Sequence, residues 1–144
     1  MIEKKECVVL IPVYKPLGVN DKISIKQAVA MTPGADVVFI VPENFTMDGS
    51  FTDFSEISVQ RFDDCFFASI SGYNKLMLEV SFYERFSDYK YMLIHQTDAF
   101  LFKPDLLYWC SKNYDYIGAP WLMPRKIKKS KLYAFILTVC PWIY

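Results

Sequence analysis

The chain has 144 residues, 53% of them apolar and 22% charged, with five Gly and eight Pro. That length suits one domain with a core of its own, without disulfides or a structural metal. Wholesale disorder and collagen-like repeats are excluded.

Sixteen basic and sixteen acidic residues cancel, which argues against a general nucleic-acid binder. The zero hides an asymmetry. Residues 1–124 carry eleven Lys/Arg and all sixteen acids, a net charge of −5, and residues 125–144 carry five basic residues and no acid. The expected organisation is therefore a mildly acidic body over 1–124 and a basic, apolar tail over 125–144.

Val8 to Tyr14 is a continuous apolar run, as in a central parallel strand, with Pro12 predicting a change in the ladder's hydrogen bonding. Residues 24–31 read as a helix with Ile25, Ala28 and Val29 on one face, ended by Thr32-Pro33-Gly34. Val37 to Val41 is a second buried strand and 43–55 a loop. Ile57, Val59 and Phe62 suggest a short strand. Residues 69–86 have a helical pattern that Ser71-Gly72 would interrupt near its start. Tyr91 to Ile94 is a third apolar strand. Leu106 to Cys110 follows Pro104-Asp105 as a short helix, and Tyr114 to Ile117 suggests a further strand. This alternation predicts an α/β domain with a mostly parallel central sheet.

Cys7, Cys65, Cys110 and Cys140 lack the spacing of a zinc site and each sits in an apolar run. They read as buried, reduced thiols, which suits a reducing, cytoplasmic compartment. His95 is the only histidine and reads as a packed one. No serine-hydrolase elbow, Walker loop or Gly-x-Gly-x-x-Gly is present.

In parallel α/β sheets, ligands bind beyond the carboxyl ends of strands. That rule picks out the segments after Val13, Val41 and Ile94. Asp98 lies just past the third apolar strand, in His95-Gln96-Thr97-Asp98. A carboxylate there suits a hard divalent cation bridging to a diphosphate, or it caps the turn.

Val9 to Lys15 resembles the opening strand of GT-A-type glycosyltransferases, and Ile94 to Phe102 resembles their Asp-x-Asp region, with Gln96 in the first acidic position. With Leu106 to Cys110 and Tyr114 to Trp121, the set is similar to a bacterial glycosyltransferase-like family found with surface-polysaccharide genes. The resemblance covers residues 8–121. It implies a three-layer GT-A-like fold and transfer of a sugar from a nucleotide-diphosphosugar to a glycan or lipid-linked acceptor. Pro12, Val13 and Tyr14 would line the base and ribose pocket. Tyr73, Asn74 and Lys75 would contact nucleotide or sugar. Asp98 would hold Mn²⁺ or Mg²⁺, with Gln96 beside it.

The family continues past Gly118-Ala119-Pro120-Trp121 into an acceptor-binding half, so the fold reads as incomplete at its C-terminus. No catalytic base is assigned; Asp63, Asp64 and Asp115 are the acids open to that role. The alternative expectation is a non-catalytic nucleotide-binding or interaction module derived from such a fold. A weaker one is a membrane-peripheral structural protein. The tail from Arg125 reads either as a solvated basic loop leading into a core element or as a contact with the inner membrane face.

Overall fold

The structure, a computed structural model, describes residues 5–118. Contacts divide the chain after Asn113 into two units. The first holds four strands, β1 (Lys5–Pro12), β2 (Asp36–Pro42), β3 (Ser58–Phe62) and β4 (Tyr89–Ile94). Its helices are α1 (Val19–Met31), α2 (Ile70–Leu76), α3 (Val80–Glu84) and α4 (Leu106–Cys110). All pairings are parallel and the strand order is β3-β2-β1-β4. The fold is thus α/β with an all-parallel sheet of Rossmann-like order.

The sheet is buried on both faces because β1 and β2 are apolar at successive positions. Val9, Ile11, Phe39 and Val41 point to one face, where Ile25 of α1 and Phe51 and Phe54 meet them. Val8, Leu10, Val38 and Ile40 point to the other, against Leu76 of α2 and Phe82 of α3. This is a three-layer arrangement, with the period-two alternation of strands deciding which layer each residue joins. Val8, Val9, Leu10 and Ile11 are fully buried. Each contributes at most about 1.5–3 kcal/mol, an upper bound because unfolded chains already bury some apolar surface.

Several boundaries differ from expectation. Helix α1 starts at Val19, before residue 24, because the Asp21 carboxylate accepts the Gly18 backbone N–H at 2.9 Å. Its buried residues are Ser24, Ile25 and Ala28, while Val29 is exposed. Residues 49–54, expected as loop, form a 3₁₀ turn capped by Asp48. Phe51 and Phe54 there stack edge-on against Phe39, at 5.9 and 6.1 Å, and this packing orders the segment.

The single helix expected over 69–86 is two. It breaks at Met77 to Glu79, where Leu78 and Glu79 donate to carbonyls three residues back and the Tyr83 hydroxyl donates to the Met77 carbonyl at 2.6 Å. Gly72 does not interrupt it. Ser69 caps α2 by accepting from the Gly72 N–H at 3.0 Å. A Cβ on Gly72 would meet the Cys65 carbonyl oxygen at 2.4 Å, so glycine is required by close approach.

The strand ladder ends at Pro12, as its missing N–H requires, and the Val13 N–H returns to the Ile40 carbonyl at 2.8 Å. In the second unit, Tyr114 to Gly118 is described. The strand expected over 114–117 does not form: with no paired neighbour among the described residues, Tyr116 and Ile117 are exposed. Cys7 and Cys110 are buried, but Cys65 is exposed on a 3₁₀ turn over Asp64–Phe66. Asp63, which accepts from the Cys65 N–H, caps this turn and leaves the thiol outside the core despite the apolar residues beside it in sequence. Cys140 and residues 125–144 lie outside the described residues. Among the described residues, no helix is long and apolar enough to cross a membrane.

Candidate functional site

Strand β1 has β2 on one side and β4 on the other. The chain leaves the carboxyl end of β1 for α1 and β2, and the β4 exit lies across from it. A crevice opens beyond these strand ends, between the exit of β1, the turn after β4 and the start of α2. A cavity of about 590 Å³ occupies it.

Three segments line this cavity. From the end of β1 come Pro12, Val13, Tyr14, Lys15 and Leu17, with Asp21 of α1 behind them. From the start of α2 come Phe67, Ala68, Ser69, Ile70, Tyr73 and Asn74. After β4 come Gln96, Thr97 and Asp98. The structure therefore brings together seven sequence-flagged residues: Pro12, Val13, Tyr14, Tyr73, Asn74, Gln96 and Asp98. Lys75 is not among the lining residues; it lies exposed on α2.

The turn that carries Gln96 and Asp98 is pinned by α1. The Ala99 N–H closes it on the Gln96 carbonyl at 3.0 Å. Asp21, Ser24 and Gln27, spaced three apart on one helix stripe, then hold it from below. Asp21 accepts the Thr97 hydroxyl at 2.6 Å. Ser24 donates to the Ala99 carbonyl at 2.6 Å, and the Gln27 amide donates to the Leu101 carbonyl at 3.0 Å. His95 is buried beneath, its Nε2 3.1 Å from the Ser24 oxygen. The serine's one proton is spent on Ala99, so His95 Nε2 must be the donor to it. Burial holds the imidazole below its usual value, with Asp98 pulling the other way. His95 is a packed residue that sets the turn, not a wall of the cavity.

The cavity is amphipathic. The Thr97 hydroxyl bond, together with the Gly18 N–H and nearby Lys15, holds the Asp21 carboxyl below the usual range against the effect of its burial. Burial pushes the Tyr73 phenol up, and Gln96 beside its hydroxyl acts in the opposite sense. Tyr14 presents an exposed ring at the mouth. Among the described residues, Lys15 is the one cation in the lining.

Among the described residues, no three His, Cys, Asp or Glu side chains gather as a ready cation cage. Mg²⁺ or Mn²⁺ held largely by phosphate oxygens needs only one or two carboxylates. Asp98 with the Gln96 amide oxygen is an all-oxygen donor set that fits that mode. Asp63 and Asp64 are committed elsewhere. Asp63 accepts from the Cys65 N–H at 2.8 Å, and Asp64 holds the Asn44 backbone and side chain at 3.1 and 2.6 Å. Asp115 belongs to the second unit.

Sequence reasoning missed Asp21, Ser69 and Thr97 as parts of the site. Gly18 three residues ahead of Asp21 was the available signal, a half capping box that moves the helix start toward the cavity.

A search of curated proteins and a search of solved structures gave no match. Residues 56–136, more than half of the chain, match a family model described as "Protein of unknown function (DUF5672)", a span that includes α2, β4 and the Gln96 to Asp98 turn, and the chain belongs to that family.

Proposed function

We propose that the chain is a GT-A-like glycosyltransferase domain, binding a nucleotide-diphosphosugar in the switch-point cavity and passing its sugar to a glycan or lipid-linked acceptor in surface-polysaccharide synthesis. One observation carries the reading: two separated segments that resemble nucleotide-sugar enzymes, the end of Val9 to Lys15 and the start of Ile94 to Phe102, meet at a single cavity beyond the strand ends, with Tyr73 and Asn74 beside them. Tyr14 and Ile70 offer apolar surface to a base, and Lys15 offers charge to a diphosphate. Asp98 and Gln96 would hold Mn²⁺ or Mg²⁺, which when bound neutralises charge on the leaving diphosphate.

In the transfer, the bond from the anomeric carbon to the diphosphate oxygen breaks, its electron pair leaving with the diphosphate. The acceptor hydroxyl oxygen bonds to that carbon, and its proton passes to Asp21, the cavity carboxylate not assigned to the metal. The reaction belongs in the cytoplasm, with residues 125–144 supplying a basic contact to anionic lipid.

A second reading, a non-catalytic nucleotide-binding module, is favoured by the state of Asp21, whose two oxygens already accept the Thr97 and Gly18 protons. Calorimetric titration with uridine and guanosine diphosphates, with and without Mn²⁺, tests the binding both readings share. Binding that weakens about tenfold or more in Asp98→Ala is expected, as for loss of a charge-assisted contact. Absence of binding to either nucleotide would defeat both readings. Sugar release from a nucleotide sugar separates the enzyme from the module.

A further inference from the structure

A second cavity, of about 410 Å³, is also bordered by the Asp21–Thr97 pair. It shares Asp21, Thr97 and Asp98 with the first cavity and continues outward over Asn20, Ile23 and Phe100. The shared residues form a wall between two chambers, so groups bound on either side would meet at the same carboxylates.

The lining of this second chamber differs in kind. Among the described residues it is lined by no Lys or Arg, and it faces two carboxylates, which would repel a phosphate there. Asn20 and the carboxylates suit the hydroxyls of a neutral sugar. The outer surface is apolar although solvent-facing: Ile23 is 52% exposed and Phe100 42% exposed. Phe100 is also paired with Phe102, ring centroids 5.1 Å apart, and Phe102 is 82% exposed. Three large apolar side chains left in water beside a polar recess form a track leading away from it.

We infer that this chamber is the acceptor site and that the acceptor is a neutral amphiphile, a sugar whose hydroxyl meets the Asp21–Asp98 wall and whose lipid or other apolar portion lies along Ile23, Phe100 and Phe102. This rests on the transferase reading and narrows it: the acceptor site is built from this chain's own α1 and post-β4 segment, and its two carboxylates disfavour a lipid diphosphate as the group bound at the wall. The charge pattern decides between the two cavities. The one with Lys15 takes the anionic donor, and the one whose described lining is charged only by Asp21 and Asp98 takes the neutral acceptor.

Binding is measured on the full chain with octyl β-glucoside below its micelle concentration, glucose and octyl phosphate as probes. Nucleotide binding is followed in parallel. Octyl glucoside is expected to bind about tenfold or more tightly than either other probe, from the buried alkyl surface and the missing charge respectively. Ile23→Asp and Phe100→Ser should each weaken it about tenfold and leave nucleotide affinity within about twofold. Both sites are exposed, so the variants fold. Equal binding of the three probes, or octyl-glucoside binding indifferent to both variants, overturns the inference. Variant-sensitive octyl-glucoside binding with no nucleotide binding would sink the transferase reading while supporting the amphiphile site.

Discussion

Asp21 and Thr97, 76 positions apart in the chain, meet through a 2.6 Å hydrogen bond in which the threonine hydroxyl donates to the carboxylate. This contact joins the first turn of α1 to the turn after β4. It ties the helix start to the Asp98 segment, and the wall between the two cavities is built on it.

Thr97→Val keeps the shape and removes the donor. It should cost about 1.5–3 kcal/mol of stability, the range for a hydrogen bond to a charged group, and Thr97→Ser should cost less. The Asp21 carboxyl, held below 3.8 chiefly by Thr97, should rise toward that value. A depressed carboxyl contributes stability above its unfolded value, and loses it as pH falls through the folded one. Urea denaturation and carboxyl-detected NMR titration check both halves; an unmoved Asp21 titration would separate it from Thr97.

Acid should weaken the fold first through His95. Burial places its folded value below 6.5. The unfolded chain therefore takes up the proton first, and stability rises with pH between the folded value and 6.5. Above that window the His95 contribution is flat. Denaturation midpoints at pH 7.5 and 5.5 should show a drop at the lower pH that His95→Gln reduces. A drop of equal size in the variant would assign it to other groups.

Gly72→Ala forces a Cβ to 2.4 Å from the Cys65 carbonyl oxygen, a backbone atom that cannot swing aside. The expected loss is about 1–3 kcal/mol, as for overpacking. Gly49→Ala, whose Cβ meets nothing within 4 Å, should stay within about 0.5 kcal/mol. Thermal melts of the two variants side by side test the contrast.

Thiol alkylation should distinguish the cysteines. The Cys7 thiol is pushed up to about 12, mainly by burial with Cys110 adding to it, and burial also raises Cys110. Cys65 is exposed, though its bond to Asp63 raises it too. Among these three, iodoacetamide should modify Cys65 first, and mass mapping after short exposure reads the order. Early label on Cys7 would show that β1 opens.

The strands were legible because a parallel strand buried on both faces must be apolar at consecutive positions, and Val8 to Ile11 and Val37 to Val41 satisfy that without ambiguity. The exits of β1 and β4 followed from those ends, and with them Pro12, Tyr14, Gln96 and Asp98. Helix ends and breaks were harder. The start of α1 depends on one side-chain bond from Asp21, and the break at Met77 to Glu79 on a bond from the Tyr83 hydroxyl. Neither bond alters the apolar pattern from which helices are read.

By itself the order of residues determined the layer structure, the parallel sheet and the strand ends at which a ligand cavity forms. These depend on local polarity and periodicity, which are written in the chain. Only the tertiary structure decided that Tyr73 and Asn74 reach the cavity and Lys75 does not, that Asp63 and Asp64 are held as turn and loop partners, and that Asp21, Ser24 and Gln27 grip the turn after β4. Each of those outcomes depends on which side of a helix faces a segment tens of residues away, a choice made by packing and hydrogen-bond geometry once the sheet has assembled.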